Sequence, residues 1–110
     1  MQVEDYARRC SGLETWLVIE GGTPIARVVL AGEAGALRVV DLSVALAARR
    51  KGIASRVLRA LQEECERLNL RVRTGNLAAR RLYDELGFTL LRSDDATMEL
   101  EWRQKREHPE

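Results

Sequence analysis

Arg49-Arg50-Lys51-Gly52-Ile53-Ala54 lies between an apolar run and a helical repeat, and the fold is read outward from that position. Upstream, residues 37–42 are largely apolar and lead into Ser43-Val44. Downstream, Ile53, Val57, Leu58, Leu61, Cys65 and Leu68 recur at helical spacing, which gives one apolar face. The order is strand, basic glycine-containing turn, amphipathic helix. Where a helix begins, its first backbone N–H groups lack intrahelical acceptors and the positive end of its dipole faces the turn. An anion satisfies both, and Arg49, Arg50 and Lys51 add full charges to the partial ones. Gly52, with no Cβ, lets a phosphate approach the backbone. The glycine spacing is not that of a Walker loop, and a single glycine in the turn is not a dinucleotide fingerprint. Taken alone, the stretch would also suit a basic surface turn that starts a helix.

The second half of the chain adds a helix marked at both ends: Asn76-Leu77-Ala78-Ala79-Arg80-Arg81-Leu82-Tyr83-Asp84-Glu85-Leu86-Gly87-Phe88. Asn76 is an N-cap by type, Gly87 suits a left-handed position after the last turn, and Phe88 can pack back on it. Together the two stretches resemble the GNAT-type N-acetyltransferases, which use acetyl-CoA. In that family a glutamine or arginine, two variable residues, a glycine, one further residue and a glycine or alanine hold the CoA pyrophosphate. Arg49, Gly52 and Ala54 fill that pattern. The family's later asparagine, alanine, Leu-Tyr and Gly-Phe are matched by Asn76, Ala79, Leu82-Tyr83 and Gly87-Phe88. The likeness runs from about residue 37 to residue 102.

The remaining elements follow from pattern. Val3, Tyr6, Ala7 and Cys10 share a helical face and predict a short opening helix; residues 15–20 and 24–30 read as strands joined by a Gly21-Gly22 hairpin turn. A turn over 31–36, a strand over 37–44, a helix over 52–68, a strand over 70–74 and a helix over 77–86 follow. Residues 89–93 and 97–103 close the chain as a hairpin around Asp94-Asp95. Strands in a meander followed by strands alternating with helices predict an α+β (α/β) domain with helices packed on a mixed sheet. The resemblance sharpens this to a mostly antiparallel sheet whose central parallel strands, 37–44 and 70–74, splay apart to admit the pantetheine arm. Residues 1–103 are expected to form one domain and 104–110 a charged tail.

Composition agrees with a globular protein. The chain has 110 residues, 45% hydrophobic and 32% charged, and a net charge of +1, so no global field attracts polyanions. Its arginines gather at 49, 50, 56, 59, 71, 73, 80 and 81. A local basic patch on a nearly neutral protein suits a compact phosphorylated ligand better than a long duplex. No apolar run approaches the ~20 residues that span a bilayer, and the N-terminus has no signal-peptide pattern. No membrane or nucleic-acid partner is expected, and the cytoplasm is the default location. Cys10 and Cys65 fall on apolar stripes and read as buried thiols rather than as a disulfide or a metal site.

The resemblance assigns roles residue by residue. Leu42 would pair its backbone with the pantetheine arm, and the Val44 N–H would be the oxyanion donor where the strand bulges. Arg49, Arg50, Lys51, Gly52, Ile53, Ala54 and Ser55 would hold the pyrophosphate, with Asn76, Ala79 and Tyr83 completing the cofactor side. Arg80 or Arg81 would reach the 3′-phosphate. Tyr83 would be the general acid at the thioester sulfur, and Asp41 a candidate general base. Asn76 also reads as a plain cap and Tyr83 as a core aromatic. Arg71 and Arg73 would disfavour a cationic acceptor and welcome a carboxylate. Only about fourteen residues precede the first expected strand, fewer than the family places on its acceptor side. The acceptor site is therefore expected to be open, or closed by a second subunit of a homodimer.

The function implied is transfer of acetyl from acetyl-CoA to a primary amine by direct attack in a ternary complex. A non-catalytic acyl-CoA-binding module is the alternative. A small nucleic-acid-binding domain is a third reading, weakened by an aromatic content of 5%.

Overall fold

The computed structural model describes residues 8–10, 13–33 and 35–105. The elements are β1 (Arg8–Cys10), β2 (Leu13–Glu20), β3 (Thr23–Glu33), β4 (Ala36–Val44), α1 (Ile53–Glu64), β5 (Arg67–Arg73), α2 (Leu77–Glu85), β6 (Thr89–Ser93) and β7 (Thr97–Arg103). A single 3-10 turn, Leu46–Ala48, joins β4 to the basic turn. The strands form one sheet in the order β1-β2-β3-β4-β5-β7-β6. Every neighbouring pair is antiparallel except β4 and β5, which run parallel at the centre. This is the mixed sheet that the pattern predicts, with the central parallel pair that the resemblance implies.

That central pairing is short. β4 and β5 pair only from Ala36↔Arg67 to Val39↔Leu70. Beyond it β4 stays with β3 as far as Ala26↔Val44, and β5 stays with β7 as far as Arg73↔Thr97. The register of β3 on β4 steps from Leu30↔Val39 to Val29↔Asp41, which leaves Val40 as an extra residue. A bulge of this kind bends the strand and sharpens its twist. Val40 is accordingly 52% exposed in a strand whose other apolar residues are half-buried. The expected bulge is therefore present but lies at Val40, four residues before Val44.

Both helices pack on one face. The apolar stripe of α1 (Ile53, Val57, Leu58, Leu61) is buried in the same cluster as Val18, Val28, Leu30, Leu68, Leu70, Val72 and Leu100, and Ala79, Leu82 and Tyr83 of α2 pack against that cluster. Burying each large aliphatic side chain is worth about 1.5–3 kcal/mol. β5 shows the two faces plainly: Leu68, Leu70 and Val72 are buried, while Arg67, Arg71 and Arg73 are exposed. Among the described residues no helix covers the second, arginine-rich face.

Several boundaries differ from the sequence reading for one reason: a sheet partner overrides local periodicity. Cys10 lies in β1, paired with Leu13 of β2, and not on a helix; Val3, Tyr6 and Ala7 fall outside the described residues. The turn expected over 31–36 shrinks, because β3 runs on to Glu33 and β4 starts at Ala36. The long helix stops at Glu64, and Leu68, seven residues after Leu61, faces the core from β5 instead. Cys65 caps that helix in an extended conformation and is buried, its thiol donating to the Leu61 carbonyl at 3.1 Å. The hairpin over 89–103 is as expected. Of the tail, 106–110 lie outside the described residues.

Leu58, 0% exposed at the centre of α1, tests the core. Leu58→Ala should cost about 2–5 kcal/mol, read as a lower urea midpoint at unchanged slope.

Candidate functional site

The chain leaves β4 with a definite orientation of its backbone. The Ala45 N–H donates to the Ile25 carbonyl on β3 at 2.8 Å. Backbone groups alternate sides along an extended chain, so Val44 and Leu42 turn their N–H and C=O away from β3. They face the side where β5 has parted from β4. The Val44 carbonyl accepts from Arg49 Nε at 3.2 Å, which ties the basic turn back to the end of the strand.

The turn then builds a concave array of amides. Arg50 (φ 65°) and Gly52 (φ 72°) are both left-handed, and Lys51 between them is not. Such alternation points successive N–H groups toward one centre. Gly52 is also the N-cap of α1 and offers no side chain to it. The first helical bond runs from the Arg56 N–H to the Gly52 carbonyl at 3.1 Å, so the N–H groups of Ile53, Ala54 and Ser55 have no acceptor within the helix. The first turn carries no acidic residue. The helix dipole, these amides and the neighbouring guanidinium groups all favour an anion.

A cleft of about 580 Å³ opens at this point, lined by Leu42, Ser43, Val44, Ala48, Arg49, Arg50, Gly52, Ile53, Ala54, Ser55, Ala78, Ala79 and Leu82. It joins the end of β4, the start of α1 and one face of α2. Alanines on both helices keep the slot wide, and no carboxylate lines it. The volume is that of a site for a sizeable organic ligand. The amides give one end an affinity for phosphate, and the β4 backbone gives the other an edge for an extended arm.

Not every residue singled out from the sequence lines this cleft. Lys51 and Asn76 are exposed beside it. Asn76 acts as a cap, Oδ1 accepting from the Ala79 N–H at 3.2 Å. At the other end of α2, the Phe88 N–H reaches the Tyr83 carbonyl and the Gly87 N–H that of Asp84, with Gly87 left-handed. This is the paired-bond stop expected of a helix-ending glycine. Arg80 is committed to the Thr74 carbonyl at 2.9 Å, so it straps α2 to the preceding loop. Tyr83, next to Leu82 but outside the lining, packs its ring on Phe88 at 5.6 Å between centroids. Burial pushes its phenol above its ordinary value of 10.0, so it stays protonated. Asp41 points to the arginine-rich face, where Oδ2 accepts from Arg27 Nη2 at 3.2 Å and from Ser43 Oγ at 3.1 Å. Ser43, Ala48, Ala78 and Leu82 are the lining residues that sequence reasoning missed. Ala78 and Leu82 sit one helical turn apart on the marked helix, a spacing that could have revealed them.

Three outcomes follow. A left-handed non-glycine residue costs about 1–2 kcal/mol, partly offset by the flexibility glycine brings to the unfolded chain; Arg50→Gly should thus leave stability unchanged or raise it by up to about 1 kcal/mol in a urea titration. Asn76→Ala should cost about 1 kcal/mol and Asn76→Asp much less, compared by thermal melting. A phenol held protonated by burial contributes stability that is complete below pH 10 and fades as pH rises through its raised folded value. Between pH 9 and 11 Tyr83→Phe should therefore lose less stability than the parent chain.

Comparison with known proteins bears on this geometry. Residues 2–88 match the acetyltransferase (GNAT) family. A sequence comparison with curated proteins gave no match. Among solved structures, the ribosomal-protein-S18-alanine N-acetyltransferase of Escherichia coli superposes with a TM-score of 0.77 at 17% identity, covering 91% of this chain and 74% of that one. The IAA acetyltransferase of Bacillus cereus gives a TM-score of 0.74 at 17% identity over 84% of this chain and 79% of that one. The N-acetyltransferase PseH of Campylobacter jejuni, solved in complex with acetyl coenzyme A, gives 0.72 at 17% identity over 87% and 71%. The family match spans most of the chain, and the fold is the one these structures share: this protein belongs to the GNAT acetyltransferase family.

Proposed function

We propose that this chain is an N-acetyltransferase that moves an acetyl group from acetyl-CoA to a primary amine by direct attack within a ternary complex. One observation carries the reading. The amide array at the start of α1 and the outward-turned backbone of Leu42 and Val44 lie in one cleft, on the part of β4 beyond its last pair with β5. A diphosphate at the first position and an arm along the second would bring a thioester to the parting. GNAT structures solved with acetyl-CoA or coenzyme A support acetyl-CoA as the cosubstrate.

The chemistry then follows from what is near. The amine lone pair attacks the thioester carbonyl carbon, and the oxygen takes up negative charge. An N–H of β4 facing the parting, that of Val44, meets that charge. The C–S bond breaks, the leaving sulfur collects a proton, and the acylated nitrogen gives one up, which restores the donor. Tyr83, kept neutral by burial and adjacent to the cleft, is the donor proposed for that proton. A primary amine has a pKa near about 10 and must lose a proton to react. Asp41, at the parting on the far face of the sheet, is proposed to receive it through water.

Two measurements test this. Acetyl-CoA at a hundred times its Kd should stabilise the protein by about 2.7 kcal/mol, seen as a thermal shift. Removing a general acid typically costs about 10²–10⁴ in rate. Tyr83→Phe should therefore lower kcat by at least about a hundredfold while the acetyl-CoA shift is kept. No shift at millimolar acetyl-CoA, or unaltered turnover in the variant, would count against the ligand or the acid respectively.

A further inference from the structure

The face of the sheet away from the helices carries a second set of groups at the same parting. Leu70 is the last residue of β5 paired to β4. The next two outward residues, Arg71 and Arg73, therefore border the opening from the β5 side and are both exposed. From the β4 side it is bordered by Asp41, whose carboxylate already accepts from Arg27 and Ser43.

The carboxylates near the two arginines are spoken for as well. Glu99, opposite Arg71 in the sheet, is held by Arg92 Nε at 3.1 Å. Asp94 lies close enough to feel Arg71, but its Oδ1 accepts the N–H groups of Ala96 and Thr97, both at 2.8 Å. Arg73 stands opposite Thr97, which brings no charge. Among the described residues neither Arg71 nor Arg73 forms an ion pair. Arg71 lines a small pocket with Arg92, Ser93, Asp94, Thr97 and Glu99, and two guanidinium groups without an ion pair thus stand on β5 just past its last pair with β4.

Resting on the acetyltransferase reading above, we infer that the amine acceptor carries a carboxylate, and that Arg71 and Arg73 bind it. A guanidinium offers paired N–H donors that match a carboxylate's two oxygens, fixing orientation as well as position. The same charges repel a polycationic amine. The class is then an α-amino acid, or a peptide whose N-terminal segment bears an acidic side chain.

Release of the CoA thiol with paired acceptors tests this. The pairs are alanine and alaninamide, aspartate and asparagine, and Asp- and Asn-containing peptides, with spermidine as the polycation, each compared at equal free-amine concentration. The carboxylate member should be preferred by at least about tenfold in kcat/KM, and Arg71→Gln and Arg73→Gln should each shrink that ratio. Acetyl-CoA thermal shifts report separately on the cleft. Preference among free amino acids assigns the small-molecule source, and preference confined to peptides assigns the peptide; either supports the inference. If the neutral partners or spermidine react as well as the carboxylates, or if both substitutions leave the ratio unchanged, the inference is overturned while the acetyltransferase reading stands. If acetyl-CoA binds and no amine is acetylated, both fall.

Discussion

The one parallel ladder among the described residues stops at Val39, just before the extra residue Val40, and the proposed use of the molecule depends on where that ladder stops. Before it, residues 36–39 of β4 pair with 67–70 of β5 in a regular sheet. After it, the strands part while each keeps its outer neighbour. A sheet that stayed paired to Val44 would use up the β4 backbone on β5. The early stop keeps β5 from the backbone of Leu42 and the N–H of Val44, and α1 begins just beyond them. The polar backbone that a ligand needs is thus created by a pairing that stops early.

The turn between β4 and α1 supplies the other half. It is held at one end by Arg49 on the Val44 carbonyl and at the other by Gly52 capping α1 without a side chain. Left-handed geometry at Arg50 is strained for a residue with a Cβ. It belongs to the same local constraint, because alternating handedness is what turns the amides inward. Rigidity here comes from the core. Ile53, the first residue of α1, is buried, as are Val57, Leu58 and Leu61 on the same stripe.

The sheet's two faces divide the labour. The helix-bearing face is apolar and holds the cleft at its edge. The other face is polar along β5 and β7, with Glu101 buried against Arg103 Nε at 2.7 Å. The reaction proposed above requires both faces to be reached at the parting, so that groups on opposite sides of a single sheet meet one reacting centre. This is why Tyr83 and Asp41, far apart in chain and on opposite faces, can be proposed for one reaction.

Much of this was legible in the residues. The caps of α2, Asn76 and Gly87, act within a few residues of their own position, and so they read correctly from type and spacing. The closing hairpin did too, and the basic turn announced its amides because a helix must start with unsatisfied N–H groups. What did not read was whatever depended on a distant partner. Leu68 continues the α1 repeat as well as it begins the β5 alternation, and only its pairing with Leu37 and Trp102 selects the strand. Cys10 likewise fits a helix until β2 claims it. The sequence by itself determined the basic turn that opens α1 and the capped helix, whose causes are local. Tertiary structure alone decided that β4 bulges at Val40, that Tyr83 rests on Phe88 beside the cleft, and that Asp41 is tied to Arg27, since each of these depends on which strand or ring lies opposite.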